Sequence, residues 1–133
     1  MSVMPEQAER IQEARAILRG YRATPRKARQ VVDLIRGKGV EEARAILKFT
    51  PRHAARTVEK LLRSAVANAA QKAMRDPERL RIVRATVDPG QTFKVMYPRA
   101  MGRGNTIRKR SSHITLVLAE DPKAGRSSRR ARR

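Results

Sequence analysis

The stretch Gln91 to Arg110, QTFKVMYPRAMGRGNTIRKR, limits what this chain can fold into more than any other. It carries Lys94, Arg99, Arg103, Arg108, Lys109 and Arg110 and no carboxylate. Strand-forming residues flank it, Arg81-Ile82-Val83-Arg84-Ala85-Thr86-Val87 before and His113-Ile114-Thr115-Leu116-Val117-Leu118 after. Two strand signals joined by a span holding Gly102-Arg103-Gly104-Asn105 predict an extended β-hairpin over residues 84–114, with a long connection. The glycines and Asn105 can adopt the positive φ that a reversal needs. A span this basic and this poor in core-forming residues cannot pack on itself. Its order must come from a polyanion outside the chain, and RNA fits first.

Composition narrows the partner further. A chain of 133 residues is long enough for one domain with a modest core and appendages. Its net charge of +20 far exceeds what solubility requires, which implies nucleic acid or, less well, an anionic membrane surface. Two Tyr, two Phe and no Trp exclude binding carried mainly by stacking, so charge and shape must do most of it. The absence of cysteine excludes a disulfide framework and a thiolate zinc site, and is consistent with cytosol. A signal peptide and a membrane span are not expected, because no basic region precedes an apolar run and no apolar run approaches the length of a span.

Taken in order, residues 1–15 (MSVMPEQAERIQEAR) read as a loose extension. Pro5 can open a helical turn there, but Met4, Ala8 and Ile11 make only a thin stripe. Ala16 to Arg22 read as a short strand, weakened by Gly20. Thr24-Pro25 is a helix start, a capping side chain before a proline whose missing N–H costs nothing there. Ala28, Val31, Val32 and Ile35 follow at helical spacing, and Gly37 supplies the left-handed stop. Arg26, Lys27 and Arg29 crowd the opening turn, where cations oppose the helix dipole. They point to phosphate contacts rather than to stability.

A second helix is expected from Val40 to Lys48, with Glu41 and Glu42 suited to its first turn and Val40, Ala43, Ile46 and Leu47 inward. Thr50-Pro51 repeats the start signal and is expected to open the longest helix, with Arg52 near its beginning. Ala54, Val58, Leu61, Leu62, Ala65, Val66 and Ala69 mark its buried face, and Ala65, Ala69 and Ala70 are small enough to let a sheet come close. In the strands, Val83, Ala85 and Val87 are expected on one face and Ile82, Arg84 and Thr86 on the other; Ile114, Leu116 and Leu118 alternate with Thr115, Val117 and Ala119. The fold class is α+β: three helices packed on a small antiparallel sheet, with a long extended hairpin and a basic tail. The body covers residues 16–120, and residues 121–133 form a disordered basic arm, with six cations and no acids after Asp121.

Catalysis finds no footing. Around Ser111-Ser112-His113 there is neither an orienting acid nor an oxyanion signature, and His113, like His53 near the start of the core helix, reads as a surface or RNA-facing histidine. Two histidines and scattered acids give no metal-ligand spacing. Gly37-Lys38-Gly39 and Gly102-Arg103-Gly104 complete no phosphate-loop pattern. Neither an enzyme, a metal nor a cofactor is expected.

Four motifs together are more specific. Thr24-Pro25-Arg26-Lys27-Ala28-Arg29, Asp33-Leu34-Ile35-Arg36-Gly37-Lys38, Pro98-Arg99-Ala100-Met101-Gly102-Arg103 and Arg108-Lys109-Arg110-Ser111-Ser112-His113-Ile114-Thr115 occur in that order. In these the chain resembles the family of the large-subunit ribosomal protein numbered twenty-two, in its bacterial form, over residues 16–120. The resemblance implies a cytoplasmic structural constituent of the large ribosomal subunit, seated on ribosomal RNA near the nascent-peptide exit. The implied partners are that RNA, neighbouring ribosomal proteins and the nascent peptide, with no membrane and no homo-oligomer. It implies a hairpin tip lining the exit tunnel beside the macrolide region: Phe93, Lys94, Val95, Arg99, Ala100, Met101, Gly102, Arg103 and Gly104. Many bacterial members carry Met-Lys-Arg where this chain has Phe93-Lys94-Val95. Charge and resemblance together assign RNA binding to Arg26, Lys27, Arg29, Arg52, Lys94, Arg99, Arg103, Arg108, Lys109, Arg110, Ser111 and His113. The competing reading is an architectural DNA-binding protein whose basic β-arm enters the minor groove, with Met96 or Met101 as a wedge.

Overall fold

The computed structural model describes residues 12–74 and 76–121. The expected helical turn at Pro5 and the basic arm from residue 122 onward lie outside the described residues. The chain runs β1 (Glu13–Tyr21), α1 (Pro25–Ile35), α2 (Val40–Phe49), α3 (His53–Gln71), β2 (Leu80–Pro89), β3 (Phe93–Pro98), β4 (Gly104–Lys109) and β5 (Ser112–Glu120). The α+β class is as the sequence indicates. The last strand, β5, is central in a three-stranded antiparallel sheet, with β1 on one side and β2 on the other. Strands β3 and β4 pair only with each other and form the projecting hairpin.

Helical periodicity locates the core well. Ala28, Val31, Val32 and Ile35 of α1, and Ala54, Val58, Leu61, Leu62, Ala65 and Ala69 of α3, are all buried against the sheet, while Ala70 is exposed. Ile114, Leu116 and Leu118 of β5 are completely covered. Along β1 the inward residues are Ala14 and Ala16, small enough for α3 to lie close on that strand. The strand starts at Glu13, three residues before its expected beginning, and Ala14 belongs to the core.

Both edges of the sheet have outward carbonyls, and helix side chains bond to them. On β1, Lys72 Nζ donates to Glu13 O at 2.8 Å and Asn68 Nδ2 to Arg15 O at 3.0 Å. On β2, Nε and Nη2 of Arg36 both donate to Ala85 O, and Nε and Nη2 of Arg29 both donate to Val87 O. The Gly37–Gly39 turn is sewn to the start of β2 as well, since Arg81 Nε reaches Gly37 O and Ile82 N reaches Lys38 O. An open strand edge is a template for pairing with another chain, and these bonds blunt it on both sides.

Three local expectations are corrected. Thr50-Pro51 does not open α3: the Thr50 hydroxyl bonds back to Ile46 O at 2.6 Å and ends α2, while Arg52 is the residue before α3. A hydroxyl can close the preceding turn as readily as cap the next. The two faces of β2 are also not a strict alternation. Pairing passes from Ile82↔Leu118 directly to Arg84↔Val117, so Val83 is bulged out and 54% exposed. One inserted residue shifts the phase, and Ile82, Ala85 and Val87 all face the core. Finally, the hairpin reverses earlier than the glycine cluster suggests. Gly104 and Asn105 are paired with Pro98 and Tyr97, and the turn is Arg99–Arg103, with Met101 at φ +62° and Gly102 at φ +68°.

Candidate nucleic-acid interface

The starts of α1 and α3 and the base of the hairpin all come to one end of the body. Between them lies an open groove of about 1330 Å³. Arg19, Arg22, Lys27, Arg52, Arg108, Lys109 and Arg110 line it, with no carboxylate among its lining residues. Asp33, Glu41, Glu42, Glu59 and Asp76 give their ion pairs to Arg36, Arg44, Lys38, Arg63 and Arg79, all outside the groove. Concentrated like charge of this kind is repulsive until a polyanion enters.

The helix ends add to the effect. Neither α1 nor α3 has an acid in its first turn, and no side chain caps either one. Free backbone N–H groups at a helix start, with the positive end of the dipole behind them, suit a phosphate oxygen. Thr24 and His53 stand beside these ends in the groove wall. A second, smaller groove is lined by Arg26, Lys27, Arg29, Gln30, Pro89 and Arg110 among others, and Thr24, Lys27, Gln30 and Arg110 border both grooves.

The hairpin base is fixed by close contacts. Gly20 donates its N–H to Nδ1 of His113 at 3.0 Å. That bond places the ring proton on Nε2 when the imidazole is neutral. Ser111 Oγ donates to Gln91 O at 2.6 Å, and Gly90 N donates to Ser111 O at 2.8 Å. Tyr21 Oη lies 3.3 Å from His53 Nδ1, tying β1 to the start of α3 across the groove floor.

Of the residues singled out from sequence, Lys27, Arg52, Arg108, Lys109, Arg110, Ser111 and His113 meet in the main groove, and Arg26 and Arg29 in the second. Arg29 differs from its neighbours because its fork is engaged by Val87 O. Lys94, Arg99 and Arg103 sit out along the hairpin, away from both grooves. Sequence reasoning missed Arg19, Tyr21 and Arg22, whereas His53, read as a surface or RNA-facing histidine, does stand in the groove. The only local signal was the Arg19-Gly20-Tyr21-Arg22 run, in which Gly20 at φ +70° interrupts the pairing between Leu18 and Tyr21. Among the described residues no cluster of three His, Cys, Asp or Glu could hold a metal.

Residues 16–119 match the family model described as Ribosomal protein L22p/L17e. The chain belongs to this ribosomal protein family. Among relatives of this family, the large ribosomal subunit protein uL22 of Carboxydothermus hydrogenoformans is 55% identical over 108 residues, covering 81% of this chain and 96% of the relative. The proteins of the same name from Desulfitobacterium hafniense strain Y51 and Geobacter sulfurreducens are each 54% identical, covering 83% and 81% of this chain and 96% and 97% of their own lengths. The family is structural and non-enzymatic.

Proposed function

We propose that this chain is a structural constituent of the large ribosomal subunit in the cytoplasm and binds large-subunit ribosomal RNA through the groove at the hairpin base. The relatives named above, called large ribosomal subunit proteins, support the assembly. The observation that carries the mode of binding is the groove itself, where seven cations and two uncapped helix starts converge without a carboxylate. Lys27, Arg52, Arg108, Lys109 and Arg110, with Arg19 and Arg22, take phosphates; Ser111 and His113 hold the hairpin base that presents them. Arg26 serves the second groove, and Arg29 reaches it from its position on the sheet edge.

The hairpin carries Lys94, Arg99 and Arg103 away from the body, between RNA segments that would otherwise repel each other. Its tip, residues 99–104, lines the nascent-peptide exit tunnel, and Phe93, Lys94 and Val95 lie along the arm that leads from the groove to that tip. The body, residues 16–120 with β1 extending back to Glu13, is the anchor, and residues 122–133 add six cations to the electrostatic contact. The blunted sheet edges favour a single copy over a strand-paired dimer. Paired basic arms on DNA would need two copies.

Sedimentation of a lysate from cells making a tagged chain tests the reading. The chain is expected with the large subunit and lost from it in high salt, because each neutralised phosphate releases counterion. Recovery as a dimer with DNA, away from ribosomes, would overturn it.

A further inference from the structure

The two faces of the projecting hairpin differ in chemistry. Phe93, Val95 and Tyr97 lie on one face of β3, and their β4 partners Lys109, Ile107 and Asn105 share it. Phe93 and Tyr97 are 56% and 50% exposed, so two of the four Phe and Tyr rings in the protein stand half open on one ribbon, Phe93 at the edge of the groove. The Arg99 guanidinium lies over the Tyr97 ring, 4.9 Å from its centre, so it stacks on one face of that ring and leaves the other to a base. On the opposite face Lys94 is paired directly with Arg108. Like charges directly opposite each other weaken a strand pair unless an anion lies over them.

We propose that the Phe93–Tyr97 face is a stacking platform for unpaired nucleobases, while the Lys94–Arg108 face, which runs into the groove at Arg108, takes phosphates. This rests on reading the chain as a binder of large-subunit RNA. Aromatic rings set among cations suit nucleic acid, because every base has a π-face and every nucleotide a phosphate. Residues 91–110 carry no carboxylate, so nothing on this face repels RNA or attracts a basic peptide. Spacing narrows the ligand. Four residues of strand separate the two rings by roughly 13 Å. Neighbouring stacked bases are only about 3.4 Å apart. The rings therefore receive two separate bases turned out of their stacks, as single-stranded loops and bulges offer and a duplex interior does not.

The full chain should be titrated with a large-subunit ribosomal RNA transcript over a salt series. The variant Phe93→Leu/Tyr97→Leu keeps apolar bulk and removes both rings. Its affinity is expected to fall about tenfold for each ring lost, with the slope of log K against log salt unchanged. Phe93→Tyr/Tyr97→Phe should bind as the unmodified chain does. Lys94→Gln/Arg108→Gln should instead flatten the slope by about 2. These residues lie outside the core, so the thermal transition of each variant should stay in place and certify the fold. Unchanged affinity in the leucine pair would overturn the platform while leaving RNA binding intact, and would free that face for a peptide. Loss by the ring-exchange pair equal to that of the leucine pair, or a flattened slope in the leucine pair, would overturn it as well. Failure of the unmodified chain to bind the transcript would remove the RNA reading itself.

Discussion

The backbone N–H of Gly20 and the Nδ1 of His113 are 3.0 Å apart, a bond between residues 93 positions apart in sequence. It joins the irregularity in β1 to the start of β5 beside the groove. Substituting His113→Leu removes the acceptor and is expected to cost about 0.5–1.5 kcal/mol, the usual net worth of one such bond. His113→Asn places a carbonyl oxygen near Nδ1 and should recover most of it. Urea denaturation of the three proteins measures both differences; equal loss in both variants would show that the bond does not hold the strand.

The space around Gly90 is already filled. A Cβ there would meet Ser111 Oγ at 2.6 Å and His113 Cε1 and Nε2 at 3.1 and 3.2 Å. Gly90→Ala should therefore destabilise by about 1–3 kcal/mol, as overpacking does. Adding Ser111→Ala removes the nearest atom and should return part of that loss, which a double-mutant cycle would detect.

Cations of the body divide into two kinds that one pair of substitutions separates. Arg36 bonds Ala85 O, so Arg36→Met should cost about 1–2 kcal/mol of stability and leave RNA affinity alone. Arg52 stands exposed in the groove, so Arg52→Ala should change stability by less than about 0.5 kcal/mol. It should also lower the salt slope of RNA binding by about 1. If both variants lost stability and neither lost slope, the groove would be structural.

Strand parity gives a test of the hairpin. Deleting Phe93-Lys94-Val95 shortens β3 by roughly 10 Å and, being odd, turns every later side chain to the opposite face. Met96 would then stand where Phe93 does, and Tyr97 would move to the phosphate side. Deleting only Lys94-Val95 keeps Phe93 and Tyr97 on one face. Amide exchange is expected to show the same protection in the body for both deletions. A structure of each on the large subunit should show the tip displaced in both, with tip pairing out of phase only in the odd one. Failure of either deletion to incorporate would show that the body is not the anchor.

How much of this was legible in the sequence follows from the range of the forces involved. Helix faces come from a spacing of three and four residues, so Ala28–Ile35 and Ala54–Ala69 could be assigned before any packing was known. The charge map was equally plain, because a run without acids is a run without acids in any fold. The four motifs were enough to place the family.

Tertiary structure alone decided the rest. The bulge at Val83 is set by pairing with β5, whose residues lie more than thirty positions away, and nothing local in Ile82-Val83-Arg84 breaks the alternation. Thr50 could cap forward or bond backward, and the packing of α2 on α3 selected the second. Arg19 and Arg22 entered the groove only because β1 pairs with the last strand of the chain. Arg29 read as a phosphate contact alone until β2 put the carbonyl of Val87 beside α1. Periodicity and charge are properties of neighbours along the chain, whereas strand partners and hydrogen-bond acceptors come from remote segments that only the folded backbone brings together.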